Sequence, residues 1–307
     1  MALVHPKPEN EVQRQLFKKL MENNLETPDT WEVRLSSGEN KKKVFTDLIS
    51  NKKLGSLALI RNLRNMENAG VLQSIVRKAI SEADFSRIFP YQIVQAAQQA
   101  PVYSASLETA MIESLNKLPK LSGTTVIVID VSGSMGAKLS SKSDMTRLSA
   151  GLALGSLIQA RCEHARVFLT AGSDAHRIHK TKEFFERGFA LCDLIGGNLH
   201  EKRQATTGYN VYAEMGGGGI FLVQAIDWIA QQLKSNPVDR VVVLTDEQDC
   251  DLHKKATTAA KLGNRDNYIV NLASAENGIA YGSGWHHING FTSRVAEYLL
   301  IKEAQSK

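Results

Sequence analysis

The chain has 307 residues, 43% of them hydrophobic and 22% charged, with a formal net charge of +5 and a pI near 9.0. That length suits two domains of about 150 residues, and the composition is that of a globular protein, which excludes a fibrous or disordered one. No apolar run reaches the roughly 18 residues a membrane span needs, the first residues lack the apolar core of a secretory signal, and three scattered cysteines (Cys162, Cys192, Cys250) argue against a disulfide framework and for a reducing cytoplasm.

Residues 9–120 read as short amphipathic helices. Val12, Leu16, Phe17, Leu20 and Met21 fall on one helical face. Breaks follow at Thr27-Pro28-Asp29 and at Ser36-Ser37-Gly38. A helix over 43–50 carries Val44, Phe45, Leu48 and Ile49, and one over 54–66 carries Leu57, Ile60 and Leu63 before Gly70 stops it. Helices at 71–80, 91–99 and 106–118 continue the series, separated by Pro90 and Pro101. Such a series fits an α-solenoid, although no fixed repeat period is visible.

The basic excess is concentrated in this part. Residues 1–120 hold 17 Lys+Arg against 13 Asp+Glu, a surplus of four. Between Arg34 and Arg64 stand eight basic residues (Arg34, Lys41, Lys42, Lys43, Lys52, Lys53, Arg61, Arg64) and two acidic ones (Glu39, Asp47). That cluster is either a polyanion footprint or a solvated helix face. Asn62 and Asn65, beside Arg61 and Arg64, could reach bases or sugars; equally, these four could hold helix-to-helix contacts.

At 119–123 the pattern changes to strand–helix alternation, the mark of a parallel α/β sheet. Strands are expected at 124–130, 166–171, 240–245 and 268–272. A short piece at 177–179 could pair with the second strand through the turn Gly172-Ser173-Asp174. Helices are expected at 146–161, capped by Ser143 or Asp144, and at 182–194, 221–234, 254–262 and 294–303.

One stretch carries the chemistry. Val126-Ile127-Val128-Ile129 runs into Asp130-Val131-Ser132-Gly133-Ser134-Met135. The apolar run reads as a strand buried on both faces, which puts Asp130, Ser132 and Ser134 on the loop at its carboxyl end, where open α/β sheets bind ligands. One carboxylate and two hydroxyls form a hard oxygen set suited to Mg²⁺ or Mn²⁺. Val241-Val242-Val243-Leu244-Thr245-Asp246 repeats the pattern, so Asp246 either meets the same ion or caps the next helix. Met215-Gly216-Gly217-Gly218-Gly219-Ile220 is either an anion cradle at a helix N-terminus or a flexible loop. Cys250 and His253 have no second pair at zinc spacing, and His286-His287 beside Trp285 could touch RNA or pack on the last helix.

The Asp-x-Ser-x-Ser loop resembles the metal-ion-dependent adhesion site of von Willebrand factor A domains. The wider chain, from about Glu9 to Tyr298, resembles the TROVE-module proteins, the family of the Ro ribonucleoprotein autoantigen and its bacterial relatives. Leu54-Gly55-Ser56-Leu57-Ala58-Leu59-Ile60-Arg61-Asn62-Leu63-Arg64-Asn65-Met66 resembles the family's helical-repeat signature. Thr27-Pro28-Asp29-Thr30-Trp31-Glu32 resembles the segment before it in bacterial members, and Thr245-Asp246 the second aspartate of the metal domain. The resemblance implies a partial, HEAT-like helical-repeat region over 1–120, then a von Willebrand factor A-like domain over 121–307 with a doubly wound, mostly parallel sheet.

The family's members are rings of helical repeats that bind small noncoding RNAs on the outer surface and the ends of misfolded RNAs in the central hole. The resemblance therefore implies a non-catalytic, cytoplasmic RNA-binding protein, with neither DNA nor membrane as partner. Asp130, Ser132, Ser134 and Asp246 would hold the metal, and Arg34, Lys41, Lys42, Lys43, Lys52, Lys53, Arg61, Asn62, Arg64 and Asn65 would face RNA. The first repeats of a full ring are absent, and the glycine-rich loop reads Gly218-Gly219-Ile220 where such domains usually place a threonine ligand, with Thr206 and Thr207 upstream. The ion would then be weak, more hydrated or absent. The alternative function is a metal-dependent protein-interaction module, in which a partner's acidic side chain completes the ion's shell. Serines at 132 and 134, in place of further carboxylates, favour ligation over phosphoryl-transfer catalysis.

Overall fold

Short polar caps punctuate the first part of the chain. Asn10 caps α1 (Glu11–Met21), Thr30 caps α2 (Trp31–Ser36) and Asn40 caps α3 (Lys41–Ser50), each through its side-chain oxygen on a backbone N–H of the first turn. The computed structural model describes residues 7–25, 29–141, 145–194, 215, 218–233, 236–248, 250–251, 262–273, 285–292 and 294–305. It divides into two compact units, Met1–Ala79 and Ile80–Lys307.

In the first unit the single helix expected over 54–66 is two: α4 (Ser56–Arg61) and α5 (Leu63–Asn68). The break is at Asn62, whose backbone leaves the helical region (φ −107°, ψ 6°). Its own side chain stabilises the break, donating to Ala58 O at 2.9 Å and accepting from Asn65 Nδ2 at 2.9 Å. Such local side-chain bonds compete with helix continuation. α3 packs against α2 and α5, and Val44, Phe45, Leu48, Leu59, Ile60, Leu63 and Met66 are all buried.

The division between the units falls inside α6 (Gln73–Glu82). Strands begin at the expected boundary, but the second compact unit begins earlier. α7 (Pro90–Gln99) and α8 (Ser104–Asn116) pack on each other and on α9 (Arg147–Arg161). Sequence pattern groups them with the preceding helices because their periodicity is the same; their packing places them with the sheet.

Among the described residues the sheet has six strands in the order β3-β2-β1-β4-β5-β6. They are β1 (Leu121–Asp130), β2 (Cys162–Ser173), β3 (Ile178–Phe184), β4 (Val238–Thr245), β5 (Gly263–Asn271) and β6 (Trp285–Asn289). All neighbours run parallel except β2 and β3. Residues 182–194, expected as a helix, instead supply the end of β3 followed by single turns of 3₁₀ helix. β3 is an edge strand of alternating exposure, and Phe184 at its end together with Phe185 and Phe189 beyond it imitates helical spacing. The hairpin turn lies at 174–177, beyond the expected one, with Arg177 in the left-handed region (φ 50°).

The sheet is covered on both sides. Ile127 and Ile129 of β1 share a core with α9 and with α11 (Val295–Gln305), whereas Val126 and Val128 share one with α10 (Leu222–Leu233). Alternation along the pleat thus buries every residue from Val126 to Asp130. α9 is buried nearly all round, and it lies close against the sheet because it carries glycine where a Cβ at 155 would come 2.5 Å from Ile129 Cδ1. Residues 254–261 of an expected helix lie outside the described residues.

One buried ion pair ties α11 to the sheet. Arg240 of β4 is fully buried; it donates to both carboxylate oxygens of Glu303, to Thr125 Oγ1 at 2.7 Å and to Ser122 O at 2.6 Å. Glu303→Ala would strand a buried guanidinium, a change that typically costs about 3–5 kcal/mol. Urea unfolding of the variant should reveal a destabilisation of that size; one below about 1 kcal/mol would mean that Thr125 and Ser122 alone satisfy the arginine.

Candidate functional site

β1 and β4 are adjacent and parallel, and in the strand order the chain continues from β1 to β2 on one side and from β4 to β5 on the other. Their carboxyl ends therefore flank the topological switch point, where open α/β sheets bind ligands. Asp130 stands at the end of β1 and Asp246 just past the end of β4, both fully buried.

Both oxygens of Asp130 are engaged. Oδ1 accepts from Ser132 N at 2.8 Å, and Oδ2 accepts from Thr245 Oγ1 at 2.7 Å. The Ser132 and Ser134 hydroxyls lie 3.2 Å apart, so the alternate positions of the loop converge as their spacing predicts. Burial pushes the Asp130 carboxyl up to about 6 and the Asp246 charge adds to the rise, against the opposing bonds from Ser132 and Thr245. Thr245 is a site residue that spacing alone does not announce. Its hydroxyl also accepts from Glu247 N at 3.0 Å, and Glu247 takes the left-handed conformation (φ 61°) that turns the chain there.

Among the described residues no helix begins at Asp246. Its Oδ2 accepts from Arg147 Nη1 at 2.8 Å and its Oδ1 from Gln248 N at 3.3 Å. Arg147 is the first residue of α9, whose cap is Thr146; Ser143 and Asp144, the expected caps, lie outside the described residues. No sequence pattern links positions 147 and 246, so spacing could not reveal this partner.

Gly218 O accepts from Gly133 N at 3.1 Å, which seats the glycine-rich loop on the metal loop. A Cβ at 218 would come 2.3 Å from Gly172 O, and one at 219 would come 2.2 Å from Cys250 Sγ. A side chain at 218 would meet backbone, whereas one at 219 would require the Cys250 side chain to move; Gly216, Gly217, Thr206 and Thr207 lie outside the described residues. The helix that follows has its anion already. Asp251 Oδ2 accepts from Val223 N at 2.7 Å and from Gln224 N at 3.4 Å, so an internal carboxylate caps α10, the helix for which an anion cradle was one of the two readings of the glycine run.

Among the described residues no group of three or more His, Cys, Asp or Glu side chains is placed to hold a metal. The donor set here is of another kind: carboxylates and serine hydroxyls, all hard oxygens. Asp130, Ser132 and Ser134 are of the oxygen-donor chemistry that Mg²⁺ or Mn²⁺ takes, and they would be the residues to hold such an ion. His253 lies outside the described residues, so the Cys-x-x-His reading of Cys250 has no geometry. His286 and His287 belong to β6 and face internal carboxylates, Asp266 at 2.8 Å and Glu247 at 3.2 Å, rather than forming an open loop.

In the helical unit, the basic residues separate into two groups. Arg34 is only 18% exposed and donates to Glu39 at 2.7 Å and Asp47 at 3.3 Å, and Lys53 pairs with Asp29 at 2.6 Å. Asn62 is buried and spends its amide at the α4–α5 break, which removes it from the expected contact set. Lys41, Lys42, Lys43, Lys52, Arg61, Arg64 and Asn65 are exposed. Lys41, Lys42 and Lys43 fill the first turn of α3, which has no acidic residue.

A doubly wound, mostly parallel sheet with this loop at its switch point, preceded by a helical region, defines a protein with a von Willebrand factor A-like domain. Residues 18–112 match the model of the TROVE domain. The fold resembles the crystal structure of the Deinococcus radiodurans Ro (RSR) protein, with a TM-score of 0.51 and 19% identity over 95% of this chain and 67% of that one. Looser likenesses are to an aerotolerance-related membrane protein of Bacteroides fragilis (TM-score 0.40, 14% identity, 60% of this chain, 99% of that one) and to an uncharacterised membrane-spanning protein of Vibrio fischeri (0.23, 15%, 60% and 100%). Among the described residues here, no helix is long and apolar enough to cross a membrane.

The Asp130 carboxyl gives a pH signature. Its folded value of about 6 lies above the ordinary 3.8, so its contribution to stability is fully present below about pH 4 and is lost as pH rises through about 6. In EDTA, wild type should lose on the order of 2–3 kcal/mol relative to Asp130→Asn between about pH 4 and pH 7. Parallel denaturation curves of the two proteins across that range would show that the carboxyl ionises without penalty.

Proposed function

We propose that the protein is a non-catalytic RNA-binding protein of the Ro ribonucleoprotein type. Its helical unit holds small noncoding RNA or RNA ends through Lys41, Lys42, Lys43, Lys52, Arg61 and Arg64, with Asn65 within reach of bases or sugars. Its sheet unit carries Mg²⁺ or Mn²⁺ on Asp130, Ser132 and Ser134, with Asp246 directly or through water. When bound, the ion would supply an electrophilic centre; the protein's part is to orient the oxygens and bury Asp130 away from competing water.

One observation carries the RNA reading. Three lysines occupy the first turn of α3 with no acidic residue among them, at the positive end of the helix dipole. Each is unfavourable there by about 0.3–1 kcal/mol, and all three are exposed. A polyanion offsets that repulsion, whereas a helix selected only to fold would carry acids there. The TROVE match over residues 18–112 includes this helix and supports the same reading.

Single-stranded RNA titrated across salt concentrations tests it. Log affinity should fall with log salt, and Lys41→Ala/Lys42→Ala/Lys43→Ala should flatten the slope by about 2, at roughly 0.7 for each phosphate that is no longer neutralised, without lowering the melting temperature. No binding, or an unchanged slope in the triple variant, would sink the RNA reading. Arg34→Ala should act differently, by lowering stability, since its guanidinium holds Glu39 and Asp47 together. The metal reading is tested separately: Mn²⁺ at millimolar concentration should raise the melting temperature over EDTA by mass action in wild type and not in Asp130→Ala.

A further inference from the structure

Arg147 is out of place as a helix residue. It opens the 15-residue helix α9, where the dipole is positive and a cation is disfavoured. Its backbone N–H is spent on Ala137 O at 2.9 Å, which ties the start of the helix to the loop bearing Ser132 and Ser134. Its side chain leaves the helix to reach Asp246, 2.8 Å away and fully buried, while itself remaining 21% exposed. A partly accessible cation thus sits on a buried carboxylate that belongs to the candidate metal site.

We propose that Arg147 is the built-in cation of this centre: it neutralises Asp246 when no divalent ion is bound, and must release Asp246 for the ion to bind fully. The inference rests on the metal reading above. Two buried carboxylates at neighbouring strand ends repel each other, and the chain resolves this with a guanidinium where an A-type domain would otherwise depend on its ion. A dication entering beside Asp130 meets the guanidinium at close range and is denied Asp246 as a ligand. The contact to Arg147 is exposed enough to open without unfolding the domain, because the arginine can swing into solvent while Thr146 keeps the helix cap, its hydroxyl accepting from Ser149 N at 3.1 Å. The steric exclusion of a side chain at 218 by Gly172 O acts in the same direction. Both features lower the domain's dependence on the metal and its affinity for it.

Mn²⁺ binding to the full chain, read by electron paramagnetic resonance of the free ion, tests this in wild type, Arg147→Gln, Arg147→Lys and Asp130→Asn. Arg147→Gln should bind Mn²⁺ about tenfold or more tightly than wild type, with Arg147→Lys close to wild type because it keeps the charge. In EDTA Arg147→Gln should melt lower than wild type, and Mn²⁺ should restore it. Equal affinity in wild type and Arg147→Gln overturns the inference and leaves the metal reading standing. No binding in any protein, Arg147→Gln included, overturns both, and binding that survives Asp130→Asn places the ion elsewhere and does the same. Should Arg147→Gln fail to fold in EDTA, recovery with Mn²⁺ but not with KCl of equal ionic strength supports the inference, and no recovery overturns it.

Discussion

A carboxylate stands at the end of a strand whose last five residues are buried on both faces of the sheet. β1 is buried from Val126 to Asp130 by cores on both sides, and the last side chain of that run carries a charge that low-dielectric surroundings oppose. Much of the site's architecture answers this constraint. The loop folds back so that Ser132 N meets Asp130 Oδ1. β4 ends level with β1 and sends the Thr245 hydroxyl to Oδ2, and the chain then turns through a left-handed Glu247 whose N–H returns to the same hydroxyl. Asp246, a second buried charge, draws Arg147 from the start of α9. The glycines at 218 and 219 let a third loop close over the group without adding a side chain to it.

The two units treat charge in opposite ways. In the sheet unit, buried ionic groups are matched inside the protein: Arg240 with Glu303, and Asp246 with Arg147, while Asp251 meets the N-terminus of α10. In the helical unit Arg34 and Lys53 are matched to Asp29, Glu39 and Asp47, but the three lysines opening α3 are exposed at the wrong end of their helix for stability. A charge arrangement unfavourable to its own helix invites an external anion, whereas a matched one argues only for folding. Counting basic residues along the sequence could not make that distinction, because Arg34 and Lys41 score alike until their neighbours are known.

Local pattern carried most of the architecture. Four apolar strands buried on both faces, the switch from helical to alternating elements near residue 120, and the convergence of Asp130, Ser132 and Ser134 follow from periodicities of two and 3.6 and from the short reach of a loop. Those features depend on neighbours within about ten residues, so the sequence by itself determined them. The edge strand β3 was legible only in its first residues; half-exposed edges lack the continuous apolar run of central strands, and Phe184, Phe185 and Phe189 mimic a helical stripe. β6 is short and carries two histidines, too polar to announce a strand before its pairing with β5 was known.

What the tertiary structure decided are the contacts between distant positions. Thr245 reaches Asp130 across 115 residues, Arg147 reaches Asp246 across 99, and Arg240 reaches Glu303 across 63. Asn62, which as a sequence position suited RNA, proved to be the hinge of its own helix pair. The division of α7 and α8 from the earlier helices is of the same kind: an amphipathic pattern states that a face is buried, and only packing states against what. The physical reason is common to all of these. Hydrophobic periodicity is encoded one element at a time, whereas the partner of a charge or the occupant of a loop is chosen by which elements the sheet order brings side by side.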